Sequence, residues 1–241
     1  MAAELRRRRF RLKETFATVI AAERFMDLAE LTIAVTRETI ETYIARRPAF
    51  RTALGPLAME CDAPPVIRLM AAASARAGVG PMAAVAGAIA QCTVEALVAA
   101  GARHAVMDNG GDIVLFIDRP VQIGIFTGSA GIRDLALRFM PRPEIFSVCT
   151  SSGRVGHSLS FGRADAATVI AGDGYLADAM ATALGNRIQT GSEKEIGSSI
   201  GESLVAGVEG LLVMADGLLG MGGKLPEIVR ARVDVRIISK G

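Results

Sequence analysis

Apolar and β-branched residues run from Thr15 to Ala21 and again from Leu28 to Ala34, the second run partly alternating, and this pattern predicts two strands. From Thr36 the spacing changes. Ile40, Tyr43 and Ile44 fall on one face of a helix that Thr36 caps, that runs to Arg47 and that Pro48 terminates. Pro64 and Pro65 introduce a second helix through Ala77. After the break Gly78-Val79-Gly80-Pro81, Met82 to Ala100 reads as a long helix with alanine and glycine on several faces. Such a helix must be tightly enclosed, inside its own chain or against a second copy in a homo-oligomer. Strands are predicted at Ala105 to Met107, Ile113 to Ile117, Val121 to Phe126, Ile145 to Cys149 and Ala164 to Ala171, with a polar loop from Thr150 to Gly162. Leu176, Ala179, Met180, Ala183 and Leu184 cluster on a helix from Tyr175 to Ile188, and Gly185-Asn186 supply a stop. Val229, Ala231, Val233, Val235 and Ile237 alternate with charged residues, as in a half-buried antiparallel strand. Helices and strands mix without a regular βαβ repeat. The expectation is an α+β fold of mixed or antiparallel sheets packed with helices, one domain over residues 14–241 behind a basic tail of residues 1–13.

Charge changes this picture little. The 27 Lys+Arg balance 25 Asp+Glu to leave +2 over 241 residues, so no field favours polyanions and no nucleic-acid partner is expected. The tail holds Arg6, Arg7, Arg8, Arg9, Arg11 and Lys13 without interleaved aromatics, which suits a solvated arm. A mean hydropathy of +0.37 raises the membrane question. The apolar stretch Leu204 to Met221 carries Glu209 and Asp216, Met82 to Ala90 is too short, and no apolar run follows the arginines to form a secretory signal. No membrane insertion is expected. Cys61, Cys92 and Cys149 are odd in number and far apart, which fits reduced thiols and a cytoplasmic location.

Three segments could carry chemistry. In Asp108-Asn109-Gly110-Gly111-Asp112 the paired glycines let backbone amides approach a ligand, with Asn109 or the acids reading its polar groups; a tight hairpin is the plainer alternative. In the loop from Thr150 to Ser160, the hydroxyls of Thr150, Ser151 and Ser152, the freed amide of Gly153 and the nearby Arg154 suit an oxyanion such as a phosphate. His157 could act there as a base or orient a ligand, or be structural. Asp178 and Thr182 lie four apart on one helix face, and a carboxylate with a hydroxyl suits a magnesium ion that takes its other ligands from water and substrate phosphates; a surface pair is the plainer alternative.

The joint order of these strings resembles the ApbE-like superfamily, whose named members are FAD:protein FMN transferases. Asn109-Gly110-Gly111-Asp112-Ile113 is similar to that family's asparagine-x-glycine-glycine-acid turn, and Thr150-Ser151-Ser152-Gly153 with His157 to its threonine-serine-glycine loop and following histidine. Ala177-Asp178-Ala179-Met180-Ala181-Thr182 resembles its metal-binding helix. The resemblance covers Gly78 to Ile188. It is nearest to an uncharacterised branch marked by Gly78-Val79-Gly80-Pro81-Met82-Ala83-Ala84-Val85-Ala86-Gly87 and Gly156-His157-Ser158-Leu159-Ser160-Phe161-Gly162. Relative to the transferases, Ser160 stands near an expected aspartate, a proline is absent, and no lysine lies between Arg76 and Arg103.

The resemblance implies an ApbE-like fold, magnesium and FAD or another flavin nucleotide as cofactors, and transfer of FMN to a hydroxyl of an acceptor protein with release of AMP. It assigns the metal to Asp178 and Thr182 and the flavin nucleotide to Asn109 to Asp112 and Thr150 to Gly153. It sets His157 near the reacting phosphate. Apart from the resemblance, Asp165 is a candidate substitute acid after the altered segment, with a buried turn at a strand end as the equal alternative. The acceptor is not legible. Two further readings stand beside a transferase or pyrophosphatase: a non-catalytic ligand-binding scaffold, and an enzyme acting on an unrelated small molecule in the same pocket.

Overall fold

The computed structural model describes residues 4–126, 134–153 and 162–230. Strand β1 (Leu5–Leu12) pairs antiparallel with β2 (Thr15–Ala22) in unbroken register, from Leu5 opposite Ala22 to Leu12 opposite Thr15. The arginine-rich start expected to be a solvated tail is therefore a strand. Phe10 returns to the core side opposite Ala17 while the arginines stay exposed, so the charge decorates a sheet edge without preventing order.

Helix α1 (Met26–Arg46) takes in Leu28 to Ala34, where local alternation predicted a strand. Its buried residues Met26, Ala29, Ile33, Thr36, Ile40 and Tyr43 recur at three- or four-residue spacing, and that long stripe outweighs a few alternating positions. Thr36 lies buried inside the helix and caps nothing. After a short α2 (Ala49–Thr52) comes α3 (Pro65–Ala77), opened by a proline at its first position and closed by Gly78 at φ 73°. A 3₁₀ turn at Pro81–Ala84 leads into α4 (Val85–Ala99).

Strands β3 (Ala105–Asn109), β4 (Asp112–Phe116), β5 (Val121–Ile125), β6 (Leu135–Phe139), β7 (Phe146–Ser151) and β8 (Ala166–Ala171) follow, then α5 (Gly174–Arg187), α6 (Glu193–Ser203), β9 (Val208–Ala215), β10 (Leu218–Gly223) and β11 (Glu227–Arg230). Every pairing is antiparallel. One sheet runs β1-β2-β3-β4-β7-β8-β9-β10 and a second runs β11-β6-β5. The fold is α+β. Of the strand predicted for Val229 to Ile237, Val229 and Arg230 belong to β11, and the remainder lies outside the described residues.

The central strands of the large sheet are buried on both faces. Val114, Cys149, Val169 and Val213 face the helices, while Leu115, Phe146, Val148, Ile170 and Leu212 face Ile123, Ile125, Leu137 and Phe139 of the small sheet. Each fully buried aliphatic or phenyl side chain in these layers contributes roughly 1.5–3 kcal/mol. The segment Pro81–Ala99 is long and apolar enough by composition to cross a membrane, yet half of it is buried inside this fold, packed on α1, α5, β3 and β4.

Candidate functional site

The site forms where α4 and α5 cross over β4 and β7. Both helices approach through glycine. A Cβ on Gly87 would lie 2.1 Å from the Gly174 carbonyl oxygen, and one on Gly174 would lie 2.6 Å from that of Gly87. The Gly174 amide donates to Gln91 Oε1 at 2.9 Å, and Asp173 caps α5 by accepting from the Leu176 amide at 2.8 Å. One turn into α5, Asp178 is 8% exposed and its Oδ2 accepts from the Gly87 amide at 2.8 Å. Burial pushes its carboxyl up to about 7, against the opposing pull of the Gly87 and Ala86 amides.

Asp112 joins it from the sheet. Gly110 and Gly111 both take left-handed φ, 72° and 105°, as a two-residue hairpin turn of the primed type requires, so the plainer hairpin reading of this segment holds. Asp108 Oδ1 accepts from the Gly111 amide at 3.0 Å. Asn109 points back toward the helices, its Nδ2 donating to the Ala86 carbonyl at 3.1 Å. Asp112 sits opposite Cys149 in the β4–β7 register, and Cys149 Sγ reaches the Gly174 carbonyl at 4.0 Å. Burial first, then the Asp178 charge, hold the Asp112 carboxyl well above the usual carboxylate range, while the Cys149 thiol opposes this. Burial and the same two acids push the Cys149 thiol up in turn.

Among the described residues neither Asp112 nor Asp178 forms an ion pair with arginine or lysine, and no three His, Cys, Asp or Glu side chains gather as a metal-binding group. Thr182 is half-buried one turn beyond Asp178. An all-oxygen pair of carboxylate and hydroxyl on one helix face, next to a second desolvated carboxyl, fits a hard divalent cation that keeps water and substrate ligands.

The serine-rich segment divides. Thr150 and Ser151 lie inside β7, where a loop was expected. Strand alternation turns Thr150 away from the helices: its hydroxyl bonds that of Thr168 at 2.9 Å on the small-sheet side, and its amide donates to the Gly111 carbonyl at 3.1 Å. The double substitution Thr150→Val/Thr168→Val, which removes both hydroxyls of this pair, is expected to leave nucleotide affinity within about twofold and stability within about 1 kcal/mol, checked by titration and melting. Ser151 faces the helix side near Gly185, and Ser152 is half-buried. Gly153 donates to the Ala164 carbonyl at 3.0 Å, and a Cβ there would lie 2.0 Å from the Gly162 carbonyl oxygen. Backbone packing accounts for this glycine. Arg154, His157 and Ser160 lie outside the described residues. Asp165 is 1% exposed just before β8, and its backbone amide donates to the Met214 carbonyl of β9 at 2.8 Å.

Sequence reasoning did not single out the Gly87 amide, Gln91, Cys149 or Gly174. A glycine inside an otherwise alanine-rich helix was the available signal for Gly87.

A family model described as AbpE bacteria matches residues 3–208. The chain is 47% identical over 233 residues to the UPF0280 protein of Methanocella arvoryzae, covering 97% of this chain and 95% of that one. In fold it is similar to a variant of the flavin transferase ApbE of Vibrio cholerae and to the apo flavinyl transferase ApbE of Pseudomonas stutzeri, each at TM-score 0.60 and at 13% and 14% identity. Those matches cover 91% of this chain and 97% and 94% of the respective structures.

Proposed function

From the premise that this chain belongs to the family described as AbpE bacteria, we propose that it binds FAD or a related pyrophosphate nucleotide with magnesium and transfers or hydrolyses the nucleotidyl group. The observation that carries this reading is the buried Asp178 carboxyl, held by the Gly87 amide beside Asp112 and without an arginine or lysine ion pair among the described residues. A desolvated acid pair of this kind is costly unless a cation joins it.

Asp178 and Thr182 would hold the metal, which when bound neutralises pyrophosphate charge. The Gly110–Gly111 turn exposes backbone close to a nucleotide, with Asn109 fixed on Ala86 behind it. Ser151, Ser152 and the backbone of Thr150 and Gly153 line the other side. His157 serves near the reacting phosphate as base or orienting group, with Asp165 as the second candidate acid. A hydroxyl oxygen of the acceptor, or water, attacks the phosphorus on the FMN side; the phosphoanhydride breaks and AMP leaves. The three unpaired thiols, one of them the exposed Cys61, support a reducing, cytoplasmic setting.

Purified protein incubated with FAD and magnesium is expected to release AMP, and EDTA is expected to stop it. No AMP from FAD or from a panel of dinucleotides removes the enzymatic reading. Ser160, near the aspartate of the transferases, favours one alternative, a scaffold that binds without turnover; tight flavin binding with no AMP, unchanged by Asp178→Ala, would select it.

A further inference from the structure

We propose that two copies of this chain pair through β10, antiparallel across a two-fold axis, so that their large sheets join into one. The two terminal strands of that sheet differ. β1 is lined with arginine, and a row of exposed charge keeps foreign strands off an edge. β10, Leu-Leu-Gly-Met-Gly-Gly, has neither charge nor proline, runs along β9 without a bulge and presents roughly 20 Å of backbone that is paired on one side only among the described residues. Its Leu218, Leu219 and Met221 are 43%, 36% and 49% exposed, and Leu204 at the end of α6 is 40% exposed beside them. A charged partner strand would lose hydration against these side chains with no counter-charge on β10 to meet it.

Self-complementarity selects a second copy as the occupant. Directly opposed residues of an antiparallel pair share a face of the sheet, and the two-fold axis stands perpendicular to it, so the axis passes through a residue and not between two. With the axis at Gly220, Leu219 lies opposite Met221 of the second copy, and Leu218 opposite Gly222 of the second copy. Leu219 and Met221 sit on the small-sheet side, beside Met214 and Leu212, and two symmetric Leu–Met cross-strand pairs close over the joint there. Leu218 sits on the helix side, where Gly222 leaves room for it. A Cβ on Gly222 would lie 3.3 Å from Leu204 Cδ1, so Leu218 of each copy meets Leu204 of the other. An axis at Met221 would set Leu219 opposite Gly223 and Leu218 opposite Lys224, and both apolar contacts would be lost. The Gly220 register also sets the residues that flank the strand, Asp216 and Lys224, opposite each other, an attraction that acts through space and displaces no existing contact.

The joint is a single strand wide, at the low end of interface size, so a reversible dimer with a Kd of roughly micromolar order is expected. β8 and β9 separate β10 from β7 and the flavin site, and the pairing does not depend on the flavin reading.

Sedimentation velocity of the full chain from about 1 to about 100 µM tests this. The mass should rise from 25.2 kDa toward twice that value. Leu219→Lys/Met221→Lys places lysine opposite lysine in the Gly220 register, and Leu219→Glu/Met221→Glu places glutamate opposite glutamate. Each variant should keep the parent's circular dichroism, because both positions are on the surface, and should self-associate at least about tenfold more weakly. An equimolar mixture of the two should dimerise again, since lysine then faces glutamate at both pairs. A parent that stays monomeric at every concentration overturns the second copy as occupant, and dimerisation gained only on deleting residues 231–241 gives the edge to that segment instead. Variants that dimerise like the parent overturn β10 as the joint, and a mixture no better than its components overturns the Gly220 register.

Discussion

Asp178→Asn should yield a protein that is more stable than the parent in metal-free buffer at pH 8 and nearly inert toward FAD. The side-chain oxygen of asparagine still accepts from the Gly87 amide, so the bond at 2.8 Å survives while the buried charge is removed. Burial raises the Asp178 carboxyl from 3.8 to about 7. An acid raised in this way binds its proton more tightly in the folded than in the unfolded state. Stability is therefore greatest at low pH and falls as pH climbs from about 4 through about 7, by roughly 4 kcal/mol for a shift of this size. In a chain of this length that corresponds to roughly 10 °C in Tm. The parent should melt progressively lower between pH 5 and pH 8 in EDTA, and the variant should not share that component of the decline. Magnesium should raise the parent's Tm at pH 8 and leave the variant's unchanged. If charge at this position neutralises the pyrophosphate, AMP release should drop by about 100-fold or more. A variant that responds to magnesium like the parent, or whose pH profile of Tm matches the parent's, would remove Asp178 from the metal site.

That Asp178 faces Asp112 was only half visible in the sequence. Helical spacing put Asp178 and Thr182 on one face of α5, and the Asn-Gly-Gly-Asp string marked a turn between strands; both are local patterns, and both are present. Cys149 was unreadable because its partner is set by the β4–β7 register, a contact between residues far apart in sequence. The same limit applies to Thr150. Composition grouped it with Ser151 and Ser152 as one hydroxyl-rich loop, but strand alternation sends its side chain to Thr168 on the opposite face.

The larger misreadings have related causes. Charge alone made residues 5–12 look like solvated chain, whereas pairing with β2 needs only backbone and an occasional apolar contact such as Phe10 with Ala17. Leu28 to Ala34 alternates over a few residues inside a stripe of helical period that extends to Tyr43. No strand stood out within the apolar stretch Leu204 to Met221, because a strand buried on both faces loses the alternation that identifies one, and the last six residues of β9 are all buried. The elements that hold Asp112 and Asp178 were legible because each carries a local signal: the paired glycines of the hairpin, and the helical spacing of Leu176, Ala179, Met180, Ala183 and Leu184 in α5.

Gly87→Ala should be the most damaging single methyl that can be added to this protein's helices. The new Cβ would sit 2.1 Å from the Gly174 carbonyl oxygen and 2.8 Å from the Asp178 Cβ. The first of these is backbone in a buried helix, which cannot rotate aside as a side-chain end would, so α4 and α5 must separate by about 1 Å to restore ordinary contact. Separation strains the Gly87–Asp178 and Gly174–Gln91 hydrogen bonds together. It also opens the packing of α5 on β7. A loss of about 3 kcal/mol or more is expected, or roughly 6–12 °C in Tm, with nucleotide binding lost in parallel. Gly197→Ala and Gly201→Ala form the contrast. Both glycines lie in α6 with nothing within 4 Å of an added Cβ, so alanine there should gain about 0.5–1 kcal/mol each through helix propensity. The three variants differ from the parent by the same methyl group, and the sign of each effect follows from what that methyl would touch. A Gly87→Ala protein that melts within a degree or two of the parent and still binds flavin would show that α4 and α5 do not meet through their glycines, and the acid pair built on that crossing would then lose its support.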